Sequence, residues 1–582
     1  MVTAWTPALG EGVAYKTHTV ANQPPPLVGI DLFTSNVPLV EATRREGADW
    51  VLDRAAALGR LVGGEPQEWG RLANENRPVL RTHDRYGNRI DEVEFHPAWH
   101  KLMALGVEHE LHALPWRLSA GADREDGGRA ASGHTARAAL YMTAMQAEAG
   151  FACPITMTFA VVPALRAQPE LLAECEPLVT ATTYDPRLLP ASEKGSAIAG
   201  MAMTEKQGGS DVKANTTYAR PLGSGGPGEE YEIVGHKWFC SAPMSDLFLV
   251  LAQALSASGE PEGISCFLLP RILPDGSRNE FHIQRLKDKL GNHSNASSEV
   301  EFHGAWARMV GEPGRGVPTI IEMVGHTRLD CTIGAAAGMR TGVLQATHHA
   351  TYRSAFGKRL IDQPLMRNVL ADLCLESEAA TALAMRLARA YDEADSDARV
   401  GDQGTPAQLF KRVATAVGKY WVCKRAPNHA FESLECLGGN GYVEESGMPR
   451  LYREAPLASI WEGSGNVMCL DVLRGLARSP GALDAFLGEV EQARGADPRL
   501  DEAVGRLRKE LSRPEDLELR ARRVVEQMAL CLQASLLVRS APPAVADAFC
   551  ASRLAGEGGL EYGTLAAGTD FEAIVERSRP VL

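Results

Sequence analysis

Apolar positions recur at intervals of three and four through WVLDRAAALGRLV (Trp50–Val62) and ARAALYMTAMQAEAG (Ala136–Gly150), which predicts amphipathic helices over 39–196. The texture changes over 197–310. Short β-branched and aromatic runs between turn residues, such as YEIVGHKWFC, FLVLAQAL, GISCFLLP and SSEVEFHG, predict the strands of a small β domain. Helical periodicity returns over 311–480, in long Ala/Leu-rich stretches that predict a bundle. One of these helices opens at Asp362-Gln363-Pro364, a capping side chain followed by a proline whose missing N–H costs nothing at a first helical position. Residues 481–582 are again helical, with breaks at Pro514, Pro542 and Pro543. Residues 1–38, with PPPL at Pro24–Leu27, have little periodicity and read as an arm over the surface or an oligomer contact. The predicted fold class is α+β multidomain: an arm, a helical domain, a middle β domain, a helical bundle and an additional helical domain.

Composition narrows the setting. The 582 residues carry a net charge of −13, which gives no global attraction to nucleic acid, so contact with DNA needs a local basic patch. Eleven cysteines are scattered without a C-x-x-C pair, which argues against a zinc ribbon or a disulfide scaffold and fits a reducing compartment. Neither a signal peptide nor a membrane-length apolar run is visible. The expectation is a cytoplasmic protein.

Some motif matches fail on context. Gly223–Gly228 spells G-x-G-x-x-G, but a strand follows where a phosphate-binding helix should open. It is expected to be a hairpin loop. His109-Glu110-Leu111-His112 is one residue short of a helical metal pair, and His96 with His100 lacks a third ligand, so no metal is expected.

Five stretches could carry chemistry, each with an ordinary alternative. MAMTEKQGGSDVKA (Met201–Ala214) concentrates hydroxyls, glycines and free N–H groups suited to a flat polar ligand, or is a turn between strands. Gly235–Ser241 offers an indole to cover such a ligand and a hydroxyl for its edge, or a core tryptophan. Arg353–Lys358 ends a long helix, where a cation also answers the helix dipole. Cys436–Tyr442 could present N–H groups to a phosphate or simply end a helix on glycine. Ile460–Asn466 sets Glu462 between an aromatic residue and two glycines.

In this order and on this layout, the stretches resemble the acyl-CoA dehydrogenase family. Its first signature is matched at Ala202, Met203, Thr204, Glu205, Gly208, Gly209, Ser210, Asp211 and Ala214, and its second region by LGGNGY followed by RLYREAPLASIWEGSGN. THTVANQPPPL, GRLANENRPVL, FHPAWHKLM, CPITMTFA, RLKDKLGNHSNASSEVEF and IWEGSGNVMCLDVLR resemble its AidB-like branch, which is associated with alkylation damage to DNA and carries an extra C-terminal helical domain. The likeness runs from about Thr17 to Leu476 and weakens beyond.

The resemblance implies a helical domain, a central β-barrel-like domain, a C-terminal four-helix bundle and FAD as cofactor. It implies Glu462 as the base that removes the α-proton of an acyl thioester. Relatives that carry the base on an earlier helix would have it at Thr327, so Glu462 has no rival. It also implies that Met203, Thr204, Gly209, Ser210, Trp238, Phe239 and Ser241 meet the flavin side, joined by Ile460, Trp461, Gly463, Ser464 and Asn466. Arg353, Phe356, Glu435, Gly438 and Gly439 should hold the adenosine end across a subunit boundary, which implies a homotetramer. Glu435 and Trp461 stand where most relatives have glutamine and tyrosine, and with the branch they imply weak or absent oxidation of ordinary acyl-CoA.

Arg474 and Arg553 match positions implicated in DNA contact in the branch, and Arg520, Arg522 and Arg523 form a local cluster. Against them, residues 481–582 hold 13 Lys/Arg and 17 Asp/Glu. Any DNA binding should be non-specific and phosphate-directed, on double-stranded DNA. Two readings stay open: a DNA-associated flavoprotein protecting against alkylating agents, and a metabolic acyl-CoA dehydrogenase with an extra domain and no DNA role.

Overall fold

A computed structural model describes residues 17–120, 127–399, 401 and 404–580; the first sixteen residues of the arm and the last two of the chain lie outside it. Among the described residues, eight α-helices between Val37 and Leu165 and a ninth at Pro169–Val179 form most of the N-terminal domain. They do not fill it. Strands β1 (Val79–His83) and β2 (Arg89–Glu94) make an antiparallel hairpin inside the stretch expected to be helical. Its turn is organised by Asp84, whose Oδ1 accepts from the N–H groups of Tyr86 and Asn88. This Asx-type turn was the sequence signal for it.

The middle domain contains β3 (Ala199–Ala202), β4 (Tyr218–Pro221), β5 (Glu230–Ser241), β6 (Leu247–Leu255), β7 (Pro261–Pro270), β8 (Phe281–Leu286) and β9 (Ser297–Val310). The pairings β4–β5, β5–β9, β9–β7, β7–β6 and β6–β4 close a ring, while β3 extends β6 in parallel and β8 pairs with β9. Closure leaves few free edges. Its interior is filled by Tyr231, Ile233, Phe248, Val250, Phe267, Phe281 and Met309. Gly223–Gly228 forms the β4–β5 hairpin loop as expected, with Gly225, Gly226 and Gly228 at positive φ.

The bundle consists of the helices Gly316–Tyr352, Pro364–Arg399, Pro406–Glu435 and the shorter Gly465–Arg478. Pro364 opens its helix as expected, but the Asp362 carboxylate is engaged by Arg359 instead of capping.

The boundary at 480/481 is not a boundary in packing. Helices Ala482–Val490, Pro498–Leu511 and Leu517–Ser540 share one apolar core with the bundle and the N-terminal domain, including Phe410, Phe486, Val413, Leu532 and Leu383. Polar ties cross it too. Trp421 Nε1 donates to Gln533 Oε1 at 3.0 Å, Arg340 reaches the Ser578 carbonyl, and Arg577 pairs with both Glu41 and Glu378.

Candidate active site

The opening loop is built on a buried ion pair. Lys237 Nζ lies 2.9 Å from Glu205 Oε1, both side chains at 0% exposure. Glu205 also accepts from the N–H groups of Thr216 and Thr217, and Lys237 donates to the Leu251 carbonyl. Burial pushes the Glu205 carboxyl up, but Lys237 and the Thr216 and Thr217 donors outweigh it and hold the group at about 2. Such a pair gives little net stability but fixes geometry once fully hydrogen-bonded. Above it, the Trp238 N–H donates to the Thr204 carbonyl at 2.8 Å, tying the loop to β5.

The β5–β9 ladder is interrupted between Lys237 and Cys240, so Trp238 and Phe239 leave the regular alternation. Trp238 was expected to cover a flavin. Here Lys287 Nζ stands 3.1 Å from its ring centroid, and Arg285 and Lys206 lie farther out. One face of the indole is therefore occupied, and the same ammonium lies 4.8 Å from the ring centroid of Phe239, which is 50% exposed. A Cβ on Gly209 would run into the Thr204 side chain. The Gly209 and Ser210 N–H groups find no acceptor among the described residues. A polar loop with room for close approach, beside a half-exposed aromatic ring, fits a flavin.

Glu462 arrives from the other side, on the loop before the Gly465–Arg478 helix. Its φ is +58°, a conformation that non-glycine residues adopt only when their surroundings impose it. The surroundings are specific. Buried Lys419 donates to the carbonyls of Trp461 and Gly463, on either side of the base. Arg328 Nε donates to the Glu462 carbonyl at 2.9 Å, and Arg328 is held in turn by Asp471 at 2.8 Å. Gly463, at φ +107°, has no room for a side chain against Met468. The carboxylate itself meets Thr327, with Oγ1 2.8 Å from Oε2. Burial raises the Glu462 carboxyl, against the opposing pull of Thr327, Arg328 and Lys419. A carboxylate raised by burial is suited to proton abstraction.

The two sides converge on Cys153. Burial lifts its thiol to about 11; Ser241, Lys289 and Asn295 counter this, while the nearby Glu462 charge adds to it. Ser241, the barrel hydroxyl, and Glu462, the bundle acid, thus face one small region. Lys419, Arg328, Asp471, Lys289 and Cys153 escaped the sequence reading. A lysine on the apolar face of an Ala-rich helix was the available signal for Lys419.

The remaining expected residues are dispersed. Arg353 caps the Gly316–Tyr352 helix, and its Nη1 donates to the Asn22 carbonyl of the arm. Phe356 sits at a hairpin tip, 100% exposed at φ +52°. Glu435, Gly438, Gly439 and Ile460 are exposed at helix ends. By helix rise, Arg353 lies about 39 Å along the axis from Thr327, too far to meet the same end of one cofactor within a chain. Ser464 is exposed, and Asn466 Oδ1 accepts from Arg522 Nε at 2.7 Å.

Two of the expected DNA contacts are paired within the chain. Arg553 is half-buried and paired with Asp372 and Glu376, and Arg520 is bonded to the Glu510 carboxylate and to three backbone carbonyls. Both guanidinia are engaged by carboxylates, which leaves less of their charge for a phosphate. Arg474 and Arg523 are exposed and without an ion pair among the described residues. His96 caps a helix through Nδ1, and His100 bonds Tyr184.

Comparison with known proteins agrees with this layout. Residues 22–186 match the adaptive response protein AidB N-terminal domain, 200–305 the acyl-CoA dehydrogenase middle domain and 314–477 the acyl-CoA dehydrogenase C-terminal domain. AidB of Escherichia coli (strain K12), provisionally named an acyl-CoA dehydrogenase, is 45% identical over 548 residues, 94% of this chain and 96% of its own. Acyl-CoA dehydrogenase family member 11 of Caenorhabditis elegans is 30% identical over 77% of this chain and 70% of its own. The crystal structure of Caenorhabditis elegans ACDH-11 in complex with C11-CoA superposes with a TM-score of 0.79 at 26% identity, covering 99% of this chain and 95% of that one.

Proposed function

The chain belongs to the acyl-CoA dehydrogenase family and carries an AidB-type N-terminal domain, and from that premise we propose that it is an FAD-binding, acyl-thioester-directed flavoprotein of the AidB type. The observation that carries this is the Glu462 loop, held from both sides by Lys419 and Arg328 with its carboxylate on Thr327. Met203, Thr204, Gly209, Ser210, Phe239 and Ser241 would hold the flavin side, with Ser464 and Asn466 from the bundle. Trp238 would join them through the indole face that Lys287 does not cover. Bound FAD supplies a two-electron acceptor for the β-hydride of the substrate. Glu462 takes the α-proton and holds it on its carboxylate, while Lys419 and Arg328 keep the loop from recoiling. Trp461 narrows the acyl channel, which supports slow turnover of ordinary acyl-CoA. The relative crystallised with C11-CoA supports a medium-length acyl chain as the first to try.

The distance between Arg353 and Thr327 supports a cofactor shared between copies in a homotetramer. Protection of DNA against alkylation rests on the likeness to AidB and on the exposed Arg474, Arg522 and Arg523, acting through phosphates in the cytoplasm. The neutralised Arg553 and Arg520 favour the second reading, a metabolic dehydrogenase without a DNA role.

Two assays separate them: anaerobic flavin bleaching with an acyl-CoA panel, and duplex retardation at varied salt. Bleaching that Glu462→Gln abolishes while FAD stays bound supports the dehydrogenase chemistry. No bleaching with any acyl-CoA would overturn it. Retardation at low salt that weakens when Arg474 and Arg523 are reversed to Glu supports the DNA role, and its absence leaves the metabolic reading.

A further inference from the structure

Thr327 lies where some relatives carry their base, and here it carries a hydroxyl that touches the base instead. Its Oγ1 stands 2.8 Å from Glu462 Oε2 and 3.0 Å from the Val324 carbonyl, one turn back on the same helix. A hydroxyl has one hydrogen and two lone pairs, so it cannot donate to both at once. The side chain is 2% exposed, which leaves no room for bulk water to replace either contact. Its β-branch restricts rotation about χ1, so the oxygen stays in place while only the hydrogen turns. Among the described residues, Thr327 is the one hydrogen-bond partner of the Glu462 carboxylate.

We propose that Thr327 is a positioning residue whose hydroxyl reverses direction with the state of Glu462. Before proton abstraction the carboxylate accepts the Thr327 hydrogen. After abstraction the acid carries its own hydrogen and donates it to Thr327 Oγ1, whose hydrogen turns to the Val324 carbonyl. No proton passes through Thr327 and no bond to it breaks. Each state of the base keeps one hydrogen bond, so the base neither drifts nor needs water when its charge disappears. The inference rests on the reading of Glu462 as the base. The other charged or titratable groups facing that carboxylate are Arg328 and Lys419, which hold the loop carbonyls on either side of it, with Cys331 on the same helix as Thr327 and Cys153 on the Ala152–Leu165 helix. None is a hydroxyl that could take the same double role.

The test compares Thr327→Val, which keeps shape without the hydroxyl, with Thr327→Ser, which restores it, both as FAD-loaded full-length protein. One readout is the pH dependence of anaerobic flavin reduction by a saturated 11-carbon acyl-CoA. The other is an infrared titration of the Glu462 carboxyl stretch, assigned by difference from Glu462→Gln, which requires no turnover. The valine variant should move the midpoint up by about one pH unit and slow reduction about tenfold below it, since a hydrogen bond to a charged group is lost. The serine variant should return both to within about twofold of the parent. A valine midpoint equal to the parent's overturns the proposal. If no acyl-CoA reduces the parent, the dehydrogenase reading fails on its own while the infrared midpoints still decide this contact. Should the valine variant misfold, Thr327→Ala takes its place.

Discussion

Arg522, in the second turn of the Leu517–Ser540 helix, donates to Asn466, four residues beyond the candidate base. The C-terminal region thereby touches the first turn of the helix that follows the Glu462 loop. Its apolar side chains also complete the core under the bundle. A chain ending at residue 480 should therefore be insoluble or molten, while Arg522→Gln should fold with a melting temperature close to the parent's. Soluble yield and thermal melts of the two proteins check this.

The Glu205–Lys237 pair allows a sharper comparison. Lys237→Met strands a carboxylate with 0% exposure, at a cost of about 3–5 kcal/mol. Adding Glu205→Gln, which keeps an acceptor for the Thr216 and Thr217 N–H groups, should recover much of that loss. Denaturant unfolding of both variants measures the coupling. Equal stability of single and double variants would contradict a buried ionised pair.

Glu454 predicts a pH dependence of opposite sign to that of most paired carboxylates. Burial and the Glu148 charge raise it to about 7 from an ordinary 4.5, against the Asn292 N–H that it accepts. Between these values the folded chain holds a proton that the unfolded chain has released. The unfolded state thus binds fewer protons, and stability falls as pH rises from about 4.5 to about 7, by on the order of 2 kcal/mol. Glu454→Gln should flatten that segment of a melting-temperature profile.

Arg553 and Arg474 should separate by what fails. Arg553→Ala leaves Asp372 and Glu376 buried, with Arg425 remaining on Glu376, and should lower stability by about 3 kcal/mol or more. Arg474→Glu, at an exposed site, should leave the melt unchanged and alter only a salt-dependent DNA shift, if the protein makes one. Paired melts and retardation assays distinguish the two.

Periodicity located the barrel and the bundle well because both faces of their elements have a clear polar or apolar role. The β1–β2 hairpin was missed because Val79–His83 buries no full side and so reads as continuation of its helical neighbours. Glu462 and the Thr204–Ser210 loop stood out only through the family resemblance of the motifs that hold them. Lys419, Arg328 and Asp471 were not legible, because their work lies in contacts between residues far apart in the chain. The same limit hid the pairing of Arg553. An arginine looks cationic in sequence, and its carboxylate partners lie about 180 positions earlier. The shared core across residue 480 was not legible for a related reason. A loss of sequence likeness marks divergence, and says nothing of whether a core continues underneath.

Arg577 pairs with Glu41, 536 residues earlier, and Arg340 holds the Ser578 carbonyl. The first helix of the N-terminal domain thus receives a partner that is synthesised 536 residues after it. At about 5–20 residues per second, that helix waits on the order of 30–100 s for its final contact. During this interval the apolar flank of the bundle is open to any other nascent chain, so assembly should benefit from a chaperone that shields the waiting helices.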